Sequence, residues 1–188
     1  MADIHGQIES ERGKLKDLLL KIPGFKGYIE LEDRRTADKL LREIVADRYQ
    51  ELLDRLTSIQ TEFVDRGALN YLDDLESVVV KIRTFIDRIR HAAYGYSSFF
   101  SAIKIDAEKL DKLYDYDQAL MDGIDLIAAG LDTLESTEDP DELMEVIKGL
   151  KRVSQEMVTK ADQRKDEILV EGELPPANMI PDDDPPSE

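Results

Sequence analysis

The sequence predicts an all-α protein: an elongated antiparallel bundle of about five helices over residues 1–171, followed by a disordered, acidic, proline-rich tail over residues 172–188. Three observations carry that expectation. Four successive stretches repeat apolar residues every three or four positions, which winds one apolar stripe along a helix. Helix-breaking residues punctuate the pattern at Pro23-Gly24, at Gly67 and at Asp139-Pro140. The 188 residues suffice for one domain with a substantial core, and no internal repeat of solenoid length recurs.

The first helix is expected over residues 4–22, with Ile4, Ile8, Leu15, Leu18, Leu19 and Ile22 on one face. Pro23 ends it, because the residue before a proline is pushed out of helical conformation. This helix should lie on the side of a bundle made by the other four. The connector 23–28 brings Phe25 and Tyr28, either as plugs folded over the bundle end or as contacts for a partner. The second helix, 31–66, carries Leu41, Val45, Tyr49, Leu52, Leu56, Ile59 and Phe63 in a four-three rhythm, and Gly67 stops it. In the third, 70–94, one stripe runs through Leu75, Val79, Ile82, Ile86 and Ile89 and a second through Tyr71, Val78, Phe85 and Ala92. Being apolar over half its circumference, it is expected to be the buried central helix. The few residues between it and the second helix predict an antiparallel hairpin.

After the third helix come Tyr94, Tyr96, Phe99 and Phe100, set among Gly and Ser. They read as a recognition loop, since aromatics give large contact area at small entropic cost, or as a roof over the core. The fourth helix, 107–134, follows Asp106 as N-cap and keeps a seam of Leu110, Leu113, Asp117, Leu120, Ile124, Ile127, Leu131 and Leu134. One seam position is therefore an acid. Gly123 and Gly130 lie seven apart on one face. Each mid-helix glycine costs about 1 kcal/mol against alanine, so a neighbour should approach closely there, from this chain or another. The fifth helix, 140–171, opens on Asp139-Pro-Asp-Glu142, with a capping acid, proline in the first helical position and Glu three after the cap. It turns Leu143, Ile147, Leu150, Val153, Met157, Ala161 and Ile168 inward, leaving Lys148, Lys151, Arg152, Lys160, Arg164 and Lys165 on a basic outer face.

The formal net charge of −17 is unevenly distributed. Residues 106–142 hold 13 acids and 2 bases, and residues 166–188 hold 8 acids and no base. By contrast, residues 12–28 hold five bases and one acid. Nucleic acid is excluded as a partner, because its affinity rests on neutralising phosphates with Lys and Arg. A basic or neutral protein partner is expected instead. A membrane-surface role for residues 12–28 is disfavoured, since anionic lipid would repel the acidic remainder. Without cysteine there is no thiolate for metal binding or nucleophilic attack. With no leader-like or membrane-spanning apolar run, a cytoplasmic protein is expected.

Catalytic and cofactor signatures do not assemble. His5 and His91 belong to neither an HExxH nor an ExxH pattern. The acid-rich stretch 115–125 fails as a calcium loop, because Ala119 stands at the third ligand position and the glycine comes too late. No catalytic residue, metal site or cofactor is expected. Asp117 is the most unusual single residue, because a carboxylate buried alone on a seam costs several kcal/mol. A register-setting contact with a Tyr, an Arg or His91 is expected there, ahead of an end position touching water and of a ligand or proton role.

These features predict a non-catalytic, self-associating acidic scaffold or adaptor that docks protein partners. Its candidate contacts are Phe25, Tyr28, Tyr94, Tyr96, Phe99, Phe100, Gly123 and Gly130. The alternative is a small-molecule or ion-binding bundle with Asp117 inside a cavity. A peripheral membrane protein is the third reading.

Overall fold

In the computed structural model the described residues are 34–92 and 107–169, and they form four helices. These are α1 (Arg34–Asp65), α2 (Leu72–His91), α3 (Ala107–Ser136) and α4 (Pro140–Leu169), with a short 3-10 turn at Leu69–Tyr71 leading into α2. Among the described residues there is no strand, so the all-α class holds. The expected helix 4–22, the connector 23–28, the aromatic stretch 94–101 and the tail 172–188 lie outside the described residues.

α1 runs 32 residues, about 48 Å at 1.5 Å per residue. It ends where Gly67 adopts a φ of 75°, the left-handed conformation that only glycine takes without a Cβ penalty. Two hydrogen bonds complete a Schellman motif: the Ala68 N–H donates to the Phe63 carbonyl and the Gly67 N–H to the Val64 carbonyl, both at 2.9 Å. The chain thereby turns back so that Tyr71 meets Phe63 edge-on, ring centroids 5.8 Å apart.

The second reversal is made at residues 137–139. The Asp139 Oδ1 accepts the N–H groups of Asp141 (2.9 Å) and Glu142 (3.3 Å), capping α4 as its sequence predicts. Glu142 does not reach back to the cap directly. Its carboxylate accepts the Thr137 hydroxyl at 2.5 Å, and Thr137 Oγ1 in turn accepts the Asp139 N–H at 3.2 Å.

Successive helices alternate in direction, and the two short turns make α1–α2 and α3–α4 antiparallel hairpins. The hairpins then pack side by side, with α1 against α3 and α2 against α4. Across that junction the neighbours run parallel. Tyr49 and Arg55 of α1 meet Leu120 and Asp132 of α3, while Asp74 and Arg88 of α2 meet Lys151 and Asp162 of α4. α2 and α3 are therefore diagonal to each other. It follows that α2 is one corner of four. Leu75, Val78, Val79, Ile82, Phe85, Ile86 and Ile89 are buried as expected, while Val80 and Arg83 face outward, so α2 is a corner helix of the bundle and not its centre. Its surplus of apolar surface instead serves two flanks, one against α1 and one against α4.

Both tight turns lie at one pole of the bundle. At the opposite pole lie the start of α1, the end of α2, the start of α3 and the end of α4.

Because nothing lies within 4 Å of a Cβ placed at Gly67, a substitution there acts through the backbone alone. Gly67→Ala is expected to destabilise the protein by about 1–2 kcal/mol in chemical denaturation, and Gly67→Asn by less, since asparagine tolerates the left-handed region.

Candidate functional site

The half of the interior nearer the open pole contains every buried charged side chain among the described residues. Tyr49 is fully buried, and its ring crosses the interior from α1 to lie 4.2 Å, centroid to centroid, from Phe85 of α2. The Tyr49 hydroxyl donates to the Leu120 carbonyl of α3 at 2.9 Å. Burial pushes this phenol well above its ordinary range, so it stays neutral and keeps its proton to donate.

Gly123 makes the crossing sterically feasible. A Cβ there would overlap both Tyr49 Oη and Met157 Sδ. One residue from each helix thus meets in a single layer: Tyr49, Phe85, Gly123 and Met157. At Gly130 a Cβ would come within 2.6 Å of a Leu150 methyl. The close approaches that these glycines imply are therefore made by side chains of this same chain. The space beside Gly123 is taken from α1 and α4, and that beside Gly130 from α4.

Asp117 lies one to two turns from this layer, only 4% exposed, and Arg164 of α4 is 1% exposed. They form a two-pronged ion pair. Arg164 Nε donates to Asp117 Oδ1 at 2.6 Å and Nη2 to Oδ2 at 3.2 Å. The planar guanidinium fork matches a carboxylate's two oxygens, which a point-charge ammonium would not do. An arginine is thus one of the expected contacts that Asp117 makes, and His91 stands apart, exposed, with Nδ1 2.8 Å from the Asp87 carbonyl.

Arg164 itself was expected on the basic outer face of its helix. It is instead inside, because it continues the row Leu143, Ile147, Leu150, Ser154, Met157, Ala161 at strict four-three spacing. Arg42 follows the same rule on α1, three residues before Val45 on the seam. It is buried and its Nη1 donates to the Ile89 carbonyl at 3.3 Å, near the end of α2, where helix carbonyls lack intrahelical donors. Neither arginine stands out by composition. Both could be found from the heptad register once a partner acid or helix end is sought.

Further from the open pole, α1 and α3 are joined at the surface. Arg55 donates to Asp132 (2.6 Å) and through two nitrogens to Glu135 (2.8 and 2.6 Å). This hydrogen bonding holds the Glu135 carboxyl below its ordinary range. Every buried side-chain N or O atom among the described residues has a hydrogen-bond partner, and no group of three or more His, Asp or Glu among them could hold a metal ion. No described helix is long and apolar enough to cross a membrane. Phe25, Tyr28, Tyr94, Tyr96, Phe99 and Phe100 lie outside the described residues. Compared with models of protein families, with curated proteins and with solved structures, the chain matches none.

Two measurements test this interior. Asp117→Asn should cost about 3–5 kcal/mol by removing the carboxylate charge from a buried two-pronged ion pair, whereas the double change Asp117→Leu with Arg164→Met should recover most of that loss. Gly123→Ala should be destabilising by about 1–2 kcal/mol through overpacking against the Tyr49 hydroxyl. In a Tyr49→Phe background the same change should turn neutral or stabilising, by up to about 1 kcal/mol of helix propensity, with the Met157 side chain turning aside.

Proposed function

We propose that the chain is a non-catalytic acidic adaptor that presents contact segments to a basic or neutral protein at one pole of a rigid helical rod. The observation that supports this is the topology. The bundle's far pole is closed by two turns of a few residues, and every longer stretch of chain joins the bundle at the other pole. Residues 1–33 enter there at Arg34, residues 93–106 leave at the end of α2 and return at Ala107, and residues 170–188 follow Leu169. Six of the eight candidate contacts, Phe25, Tyr28, Tyr94, Tyr96, Phe99 and Phe100, belong to these segments.

The rod supplies the rigid base and the segments the recognition. Aromatic side chains contribute contact area with few torsions to freeze. Exposed acids along α3, among them Asp115, Asp122 and Asp125, together with the acidic residues after 166, give a field that draws in a positively charged partner and raises its association rate. Self-association through the glycine face of α3 is not part of this reading, because Gly123 and Gly130 are already packed. A second copy would have to dock through the pole. Arg164 also satisfies Asp117, which weakens the alternative of an ion-binding cavity around that carboxylate.

The test is affinity capture with the intact chain against a variant in which Tyr94, Tyr96, Phe99 and Phe100 are all changed to serine. The expected result is a basic or neutral protein held by the wild type in low salt, released as salt is raised, and lost in the variant at unchanged melting temperature. Equal capture by both proteins, or a metabolite or metal that raises the melting temperature where no protein binds, would replace this reading with the ligand-binding one.

A further inference from the structure

α1 and α3 are the least closely packed of the four neighbouring pairs. Toward the far pole the Arg55 fork on Asp132 and Glu135 ties them together. On the open-pole side of that fork their shared flank is apolar and only half-buried. Leu40 and Ile44 extend the row that Arg48 and Arg55 occupy on α1. Met121, Ile124 and Ala128 lie on the side of α3 that carries Asp132, one turn or more before it. Exposed Asp122 and Asp125 rim the α3 edge. No other described helix covers this furrow, since α2 and α4 pack on the other sides.

We infer that residues 4–22 of this same chain occupy it as an amphipathic helix antiparallel to α1. Length, position and charge each point to that occupant. Nineteen residues make a helix of about 28 Å, and the stretch of α3 from Asp115 to the Arg55 fork at Asp132 rises about 26 Å. The segment reaches the bundle at Arg34, the end of α1 at which the furrow opens. Residues 23–33 between them can span up to about 36 Å, far more than one interhelical spacing of about 10 Å. The inward face would carry Ile4, Ile8, Leu15, Leu18, Leu19 and Ile22 onto the half-buried row. In that register Arg12, Lys14 and Lys16 come level with Asp122 and Asp125 on the acidic rim. The inference is independent of the partner reading above, which concerns the aromatic segments at the pole.

The chain has no cysteine, so paired spin labels can be introduced cleanly into the full-length protein. Ser10→Cys is combined in one sample with Ala129→Cys on the exposed face of α3, and in another with Val80→Cys on the outer face of the diagonal helix α2. The expected result is a narrow distance distribution for both pairs, the Ala129 pair clearly the shorter. In the Asp122→Lys, Asp125→Lys background the Ala129 distribution should broaden. Broad, overlapping distributions in the wild type, or a shorter distance to Val80, would overturn the proposal. A short distance that disappears when labelled chain is diluted with unlabelled chain would overturn it in favour of a second copy. An unaltered distribution in the charge-reversed background would remove the rim acids from it.

Discussion

The passage of the Tyr49 ring through the centre of the bundle is the constraint to which the rest conforms. A phenol that reaches from α1 to the backbone of α3 fixes how far apart those helices stand and how far one is slid along the other. It also requires that the facing position lack a Cβ, that a flexible thioether fill the remaining gap, and that an aromatic ring on α2 cover its face. Gly123, Met157 and Phe85 meet those three conditions from three different helices. Such a layer admits one register. Sliding any helix by a turn would put a side chain where the hydroxyl sits and strip the hydroxyl of its acceptor, which costs about 1–3 kcal/mol for a buried polar group.

The Asp117–Arg164 pair sets register in a second way. Its net contribution to stability is small or unfavourable, because two charges must leave water. Its absence in any other alignment is what penalises misfolded alternatives, since each charge would then be buried alone. Three further cross-helix contacts lie on the parallel faces, from Arg55 of α1 to α3, from Lys151 of α4 to Asp74 of α2 and from Arg88 of α2 to Asp162 of α4. These are exposed enough to add little energy. They do mark the two junctions at which the turns give no help, because only the hairpins are aligned by short connections.

Much of this was legible in the sequence, for definite reasons. The seven-residue rhythm reports which residues face inward, and the residues it names on α1, α2 and the described part of α3 are the buried or half-buried ones. Pro and Gly report chain reversal because of their torsional properties, so the turns at Gly67 and Asp139 were readable. Asp117 was conspicuous as an acid on an apolar seam. Its partner was not, because a row of lysines and arginines on α4 masked the one that falls on the seam. The choice of neighbours was illegible for a different reason. Periodicity tells a helix that it has a partner but not which one, and the pairing of α1 with α3 in parallel depends on the joint fit of Tyr49 and Gly123, a contact between residues 74 positions apart. Function was least legible, since its candidate aromatics sit outside the periodic segments and so escape the rule that orders everything else.

The placement of both bundle ends at one pole has a mechanical corollary. A pull applied between residue 34 and residue 169 would act at the same end of the rod, on two helices at opposite corners. Tension would not drag the helices lengthwise past one another, which would load every layer at once. It would prise α1 and α4 outward from that end and open the interior a rung at a time, with the buried ion pair and the tyrosine layer among the first to part. A tether at that pole would thus make the molecule compliant under load, whereas a grip on the two turns at the other pole would leave the charged half of the interior undisturbed.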